Sequence, residues 1–171
     1  ALETRNALTC AFCAERKQAL SPYGMEGKHD HAGVLPERVV DAVHRLITDQ
    51  NRITQALVDD NAANGLSKAA YVELVGIAVT VFSIDEFHRA MGLPVEPLPE
   101  PVAGEPSRYM PPTLVSDMGF VPTIPAEGAK ANEADLWQPG FAHNGVRALS
   151  LVPDAVRAWH QVAGAQYLSL P

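Results

Sequence analysis

Apolar residues recur along this chain at the three-and-four spacing of helices. From Pro36 onward, Val39, Val40, Val43, Leu46 and Ile47 follow that repeat, which predicts a helix with Pro36 in its first turn. A shorter helix is expected from about Ile53 to Ala62, stopped at Asn64 and Gly65, residues that favour the left-handed turn beyond a helix end. Ser67 then caps a long helix from Lys68 to Met91, closed by Gly92 with Pro94 just beyond. Within it Leu74 to Phe82 is apolar except for Gly76 and Thr80, the pattern of a helix buried in a core or a subunit interface. The β-branched Val75, Ile77, Val79, Thr80 and Val81 also suit a strand, but length, caps and the flanking repeat decide for helix.

The ends of the chain carry weaker patterns. Residues 1–20 consist of good helix formers with no proline before Pro22, interrupted around Thr9 and the cysteines, with Thr9 as an expected N-cap. Residues 21–35 hold Pro22, three glycines, His29 and His31 and read as a loop. Nine of the fourteen prolines fall between Pro94 and Pro125, which predicts an extended arm of polyproline character wrapping its own core or a partner subunit. Residues 126–140 read as irregular, and helical spacing returns over Gly145–Leu151 and Asp154–Ala165, with Pro153 between them. The expected class is therefore all-α: a helical core over 1–93, a proline-rich arm over 94–140, and C-terminal helices over 141–171. Trp137, Trp159 and Tyr167 are expected to pack, and the apolar stretch 166–171 stops as though cut from something longer.

Composition narrows the function. The chain has 171 residues, 47% apolar and 19% charged, enough for one globular domain or one domain with part of a second. No apolar run approaches the roughly 20 residues that span a bilayer, and no basic segment followed by an apolar core opens the chain. No membrane partner and a cytoplasmic location are expected. The net charge of −7 weighs against nucleic acid, whose phosphates must be met by Lys and Arg. The local basic cluster is Arg16 and Lys17, beside the cysteines.

Those two cysteines, Cys10 and Cys13, carry the candidate chemistry. A disulfide over so short a loop would constrain the unfolded chain little, so the spacing points to redox or metal chemistry. At a helix start, the partial positive charge of the free N–H groups, together with Arg16 and Lys17, favours a thiolate. Such a thiolate can open a peroxide bond to a sulfenic acid that its neighbour condenses to a disulfide, or exchange with another disulfide. A zinc site needs two further ligands, and no second close Cys/His pair is placed convincingly to supply them. His29 and His31 have metal-like spacing but read as a solvated loop, the other reading being a ligand or a proton relay. His44 reads as lying on the polar side of its helix, and Asp85, Glu86, His88 and Arg89 as a solvated or inter-subunit face.

The run Ala7, Leu8, Thr9, Cys10, Ala11, Phe12, Cys13, followed by an acid-and-base helix, resembles the signature of the alkylhydroperoxidase-D-like and carboxymuconolactone decarboxylase superfamily. Further likeness lies in Ile53–Gly65, Leu66–Ile77 and Phe87–Pro94, so it covers roughly residues 1–100. The segment from Asn144 to Leu170 is similar to the family's opening segment. The resemblance implies an all-α bundle in which Cys13 attacks a hydroperoxide and Cys10 resolves it, with an external thiol reductant and neither metal nor organic cofactor. It also implies a relay histidine one turn after Cys13 and a relay glutamate upstream of Cys10. Lys17 stands in the histidine's place, and the glutamate's place falls before Ala1, with Glu3 too close to the motif to match. Lys17 can favour a thiolate by its charge but, as a cation, cannot accept its proton. Cys10, Cys13 and Lys17 are thus the expected site residues. The alternative reading is a redox-inert, oligomeric scaffold of the same fold. A lactone decarboxylase-type enzyme of that fold uses no such pair, and Cys10 and Cys13 argue against it. The apolar stretch of the long helix predicts a homo-oligomer.

Overall fold

The computed structural model describes residues 1–21, 24–138 and 141–166; the expected packing of Tyr167 and the closing apolar segment lie outside the described residues. The described chain is helical: α1 Leu2–Thr9, α2 Ala11–Gln18, α3 Glu37–Thr48, α4 Gln55–Ala63, α5 Lys68–Ala90, α6 Asn144–Leu149 and α7 Pro153–Gln166. Its β content among those residues is one antiparallel bridge between Val115 and Thr123. No single described helix is long and apolar enough to cross a membrane.

The helix ends follow the local chemistry of the sequence. Thr54 caps α4 by accepting the Leu57 N–H at 3.3 Å, and Ser67 caps α5 by accepting that of Ala70 at 3.2 Å. Gly92, at φ +67°, closes α5 with its N–H bonded to the Arg89 carbonyl and the next N–H, of Leu93, bonded to that of His88. At the N-terminus the expectation needs correction. Thr9 is the last residue of α1, its hydroxyl donating to the Asn6 carbonyl at 3.3 Å, and Cys10 is the N-cap of α2. The single extended residue Cys10 (φ −67°, ψ 119°) breaks what would otherwise run on as one helix.

By contacts the chain divides into two compact units, 1–66 with 77–101 and 67–76 with 102–171, rather than at 93 and 140. In the first unit α1 and α2 both pack on α3, where Ala7, Val40 and Val43 are buried; Val58 of α4 and Leu66 after it are buried too. Asp85 of α5 is buried there, its two carboxylate oxygens accepting from Arg5 at 2.8 and 2.9 Å, so it is not part of a solvated face. The second unit is built on Val72, Ile124, Leu136, Trp137, Leu149, Leu151 and Val156. Trp137 donates to the Ala126 carbonyl at 2.9 Å and Trp159 packs against this core, as expected of structural aromatics. The proline-rich stretch splits in character. Residues 94–110 have no regular secondary structure and are mostly exposed, whereas Ile124 and Leu136 further on are fully buried, which is why that part belongs with α6 and α7.

Candidate functional site

The first unit gathers two sulfurs and two imidazoles at one buried point. Cys10 ends the break before α2, and Cys13 sits one turn into it, on the same side of the helix. The loop after α2 brings His29, and α3 brings His44. Cys13 Sγ lies 3.4 Å from His29 Nδ1 and 3.3 Å from His44 Nδ1, while Cys10 Sγ lies 3.7 Å from His29 Nδ1. All four residues are buried, with exposures of 2, 2, 7 and 0% for Cys10, Cys13, His29 and His44. The thiols are free rather than joined in a disulfide.

Each imidazole is backed by a carboxylate. His29 Nε2 is 3.0 Å from Asp41 Oδ1, and His44 Nε2 is 3.5 Å from Glu3 Oε2. Burial works against a charge on His29, but its bonds to Asp41, Cys13 and Cys10 outweigh that and push its pKa up to about 10. His29 therefore carries a proton on both nitrogens and donates towards sulfur and carboxylate alike. For His44 the balance is opposite: burial, joined by the nearby His29 charge, pulls its pKa below the ordinary value despite Glu3. Burial tends to raise Glu3, but the Ala32 amide at 2.9 Å, Asn6 and His44 hold it below the usual carboxylate range. A neutral His44 whose Nε2 faces an ionised Glu3 presents Nδ1 to Cys13 as a proton acceptor.

Cations and amide donors gather around the sulfurs. Arg16 is 1% exposed, its guanidinium 2.8 Å from Asp41 Oδ1 and 3.9 Å from Cys13 Sγ. Arg45 and His29 converge on the same Asp41, so three cations share one carboxylate, and burial of that carboxylate is outweighed until it lies well below the ordinary range. The Asp30 amide donates to Cys10 Sγ at 3.4 Å. Burial would raise the Cys10 thiol, but that amide, Cys13 and His29 bring it below its ordinary value. Phe12, between the cysteines, meets His29 edge-on at 5.1 Å between centroids and lies under Arg16 at 5.5 Å. The loop can press on Phe12 only because position 27 is glycine, where a Cβ would sit 2.3 Å from the ring. Beside this cluster lies a groove of about 510 Å³, bordered by Phe12, Met25, Gly27, His29, Asp41 and Arg45.

Of the expected site residues, Cys10 and Cys13 come together, while Lys17 has an exposed side chain and the cation under Cys13 is Arg16. Glu3, His29, Asp41 and His44 complete the cluster, against the expectation of a solvated loop for His29 and a polar helix side for His44. One signal for His44 was available: it stands four residues after Val40 and three before Ile47, on the ridge that the apolar repeat defines. Compared with models of known protein families, with curated proteins and with solved structures, the chain matches none.

Proposed function

We propose that this chain is a thiol-dependent reductase of hydroperoxides, in keeping with its resemblance to the alkylhydroperoxidase-D-like proteins. The observation that carries the reading is Cys13 Sγ held between His29 and His44 at 3.4 and 3.3 Å, with Glu3 behind His44 and Asp41 behind His29. The relay that the motif lacks near Lys17 is thereby supplied from two other segments of the chain.

The chemistry follows from the protonation states. Cys13 gives its proton to His44 Nδ1, and the thiolate, steadied by the His29 imidazolium and Arg16, attacks the terminal oxygen of R–O–O–H. The O–O bond breaks, Cys13 becomes a sulfenic acid, and the departing alkoxide takes the proton back from His44 to leave as alcohol. The Cys10 thiolate then attacks the Cys13 sulfur, and the sulfenic hydroxyl departs as water with a proton from the imidazolium. An external thiol reductant returns the disulfide to two thiols.

Peroxide consumption by the reduced protein, supplied with a dithiol, tests this. Cys13→Ser is expected to abolish it, and Cys10→Ser to leave a Cys13 sulfenic acid that a dimedone-type reagent traps. Unchanged consumption in either variant sinks the proposal. The 2% exposure of both cysteines favours one rival, the redox-inert scaffold. Titration of the folded protein with an aromatic disulfide separates them: two reacting thiols support the reductase, none supports the scaffold.

A further inference from the structure

We propose that Cys10, Cys13, His29 and His44 together bind one soft divalent cation, with zinc the best match to the donor set. Their ligand atoms all lie within 4.8 Å of one another. Zinc holds thiolate sulfur at about 2.3 Å and imidazole nitrogen at about 2.0 Å, so neighbouring donors around one tetrahedral ion stand roughly 3.3–3.8 Å apart. Three of the six separations, the sulfur–nitrogen ones of 3.3, 3.4 and 3.7 Å, fall in that interval. Two thiolates cancel the ion's charge, and His29 gives up its Nδ1 proton to coordinate, so the complex is neutral in a site whose four residues are at most 7% exposed.

The surroundings point to the same ligand. A metal-bound imidazole ordinarily donates its other N–H to a carboxylate, which fixes the ring and its tautomer. His29 meets that condition: with Nδ1 turned to the sulfurs, its Nε2 faces Asp41 at 3.0 Å, whereas His44 Nε2 approaches Glu3 at 3.5 Å without a hydrogen bond. The sulfurs receive N–H groups from Asp30 and Arg16, which moderate thiolate charge next to an ion. Sequence spacing hid the site because its histidines come from a loop and from α3, not from one short His pair.

A bound cation occupies both sulfurs, so the metal-bound and peroxide-reactive forms exclude each other. The metal site does not depend on the peroxide chemistry. The test is a titration of the reduced, chelator-stripped protein with Co²⁺ in the absence of oxygen. Expected are intense tetrahedral d–d bands and sulfur-to-cobalt charge transfer, saturating at one equivalent per chain and lost on adding Zn²⁺. Asp41→Asn is expected to weaken Co²⁺ binding by about 10–100-fold. X-ray absorption of the zinc-loaded wild type needs no variant, and two sulfur plus two nitrogen neighbours are expected. Absence of the cobalt bands, or a zinc shell of oxygen ligands, overturns the proposal. Peroxide consumption of the stripped protein, measured on the same sample, reports the reductase reading separately.

Discussion

A thiol set between a protonated and a neutral imidazole has a donor on one side and an acceptor on the other, and the two histidines cannot be exchanged. His29 is charged because Asp41 and the two sulfurs outweigh its burial; His44 is held neutral first by burial and then by the charge on His29. Replacing His44 by Gln therefore removes the proton acceptor and is expected to slow peroxide reduction by about 10²–10⁴-fold, measured as single-turnover sulfenic acid formation. Glu3→Gln leaves the ring but not its orientation, and a smaller loss is expected, with the alkaline limb of the pH–rate profile preserved. In the reduced, metal-free chain His29 contributes stability that depends on pH across the neutral-to-alkaline range. Its pKa is raised from 6.5 to about 10, so its contribution is fully present below about pH 6.5 and is lost as pH rises towards 10. Urea midpoints across that interval should fall in the wild type and fall less in His29→Gln; parallel curves would remove His29 as the cause.

The break at Cys10 is the element-scale device of the site. Because Cys10 is extended, α2 starts afresh there, and Cys13 and Arg16 are turned inward at i and i+3 while Lys17 is turned out. One residue of phase thus decides which of two adjacent cations supports the sulfur. Caps at the other helices act independently of the chemistry. Thr54→Ala removes the acceptor for the Leu57 N–H and is expected to cost about 1 kcal/mol, read from the urea midpoint, with peroxide reduction unchanged. Gly92→Ala forces a side chain into φ +67° and is expected to cost about 1 kcal/mol by the same measurement.

On the scale of the whole molecule, α5 leaves apolar residues in the open. Ile77, Val79 and Phe87 are 48, 42 and 57% exposed, consistent with the apolar stretch that predicts self-association. Light scattering is expected to give a mass above that of one chain, reduced by Phe87→Lys; a single-chain mass for the wild type at micromolar concentration refutes it. The all-α class, the cap at Ser67, the ends at Gly65 and Gly92 and the Cys10–Cys13 pair were all legible in the sequence. Each rests on interactions between residues at most a few positions apart, which the order of residues encodes directly. The interruption before Cys13 was legible too, though not which residue makes it, since Thr9 and Cys10 both suit a helix boundary. His29, Asp41, His44 and Glu3 were not legible as partners, because they come from a loop and two helices whose approach is decided by burial of Ala7, Val40 and Val43. The sequence by itself determined that two thiols would stand one helical turn apart. Only the tertiary structure decided that they share their pocket with two carboxylate-backed imidazoles, because a long-range contact depends on how helices pack and leaves no fixed spacing in the chain.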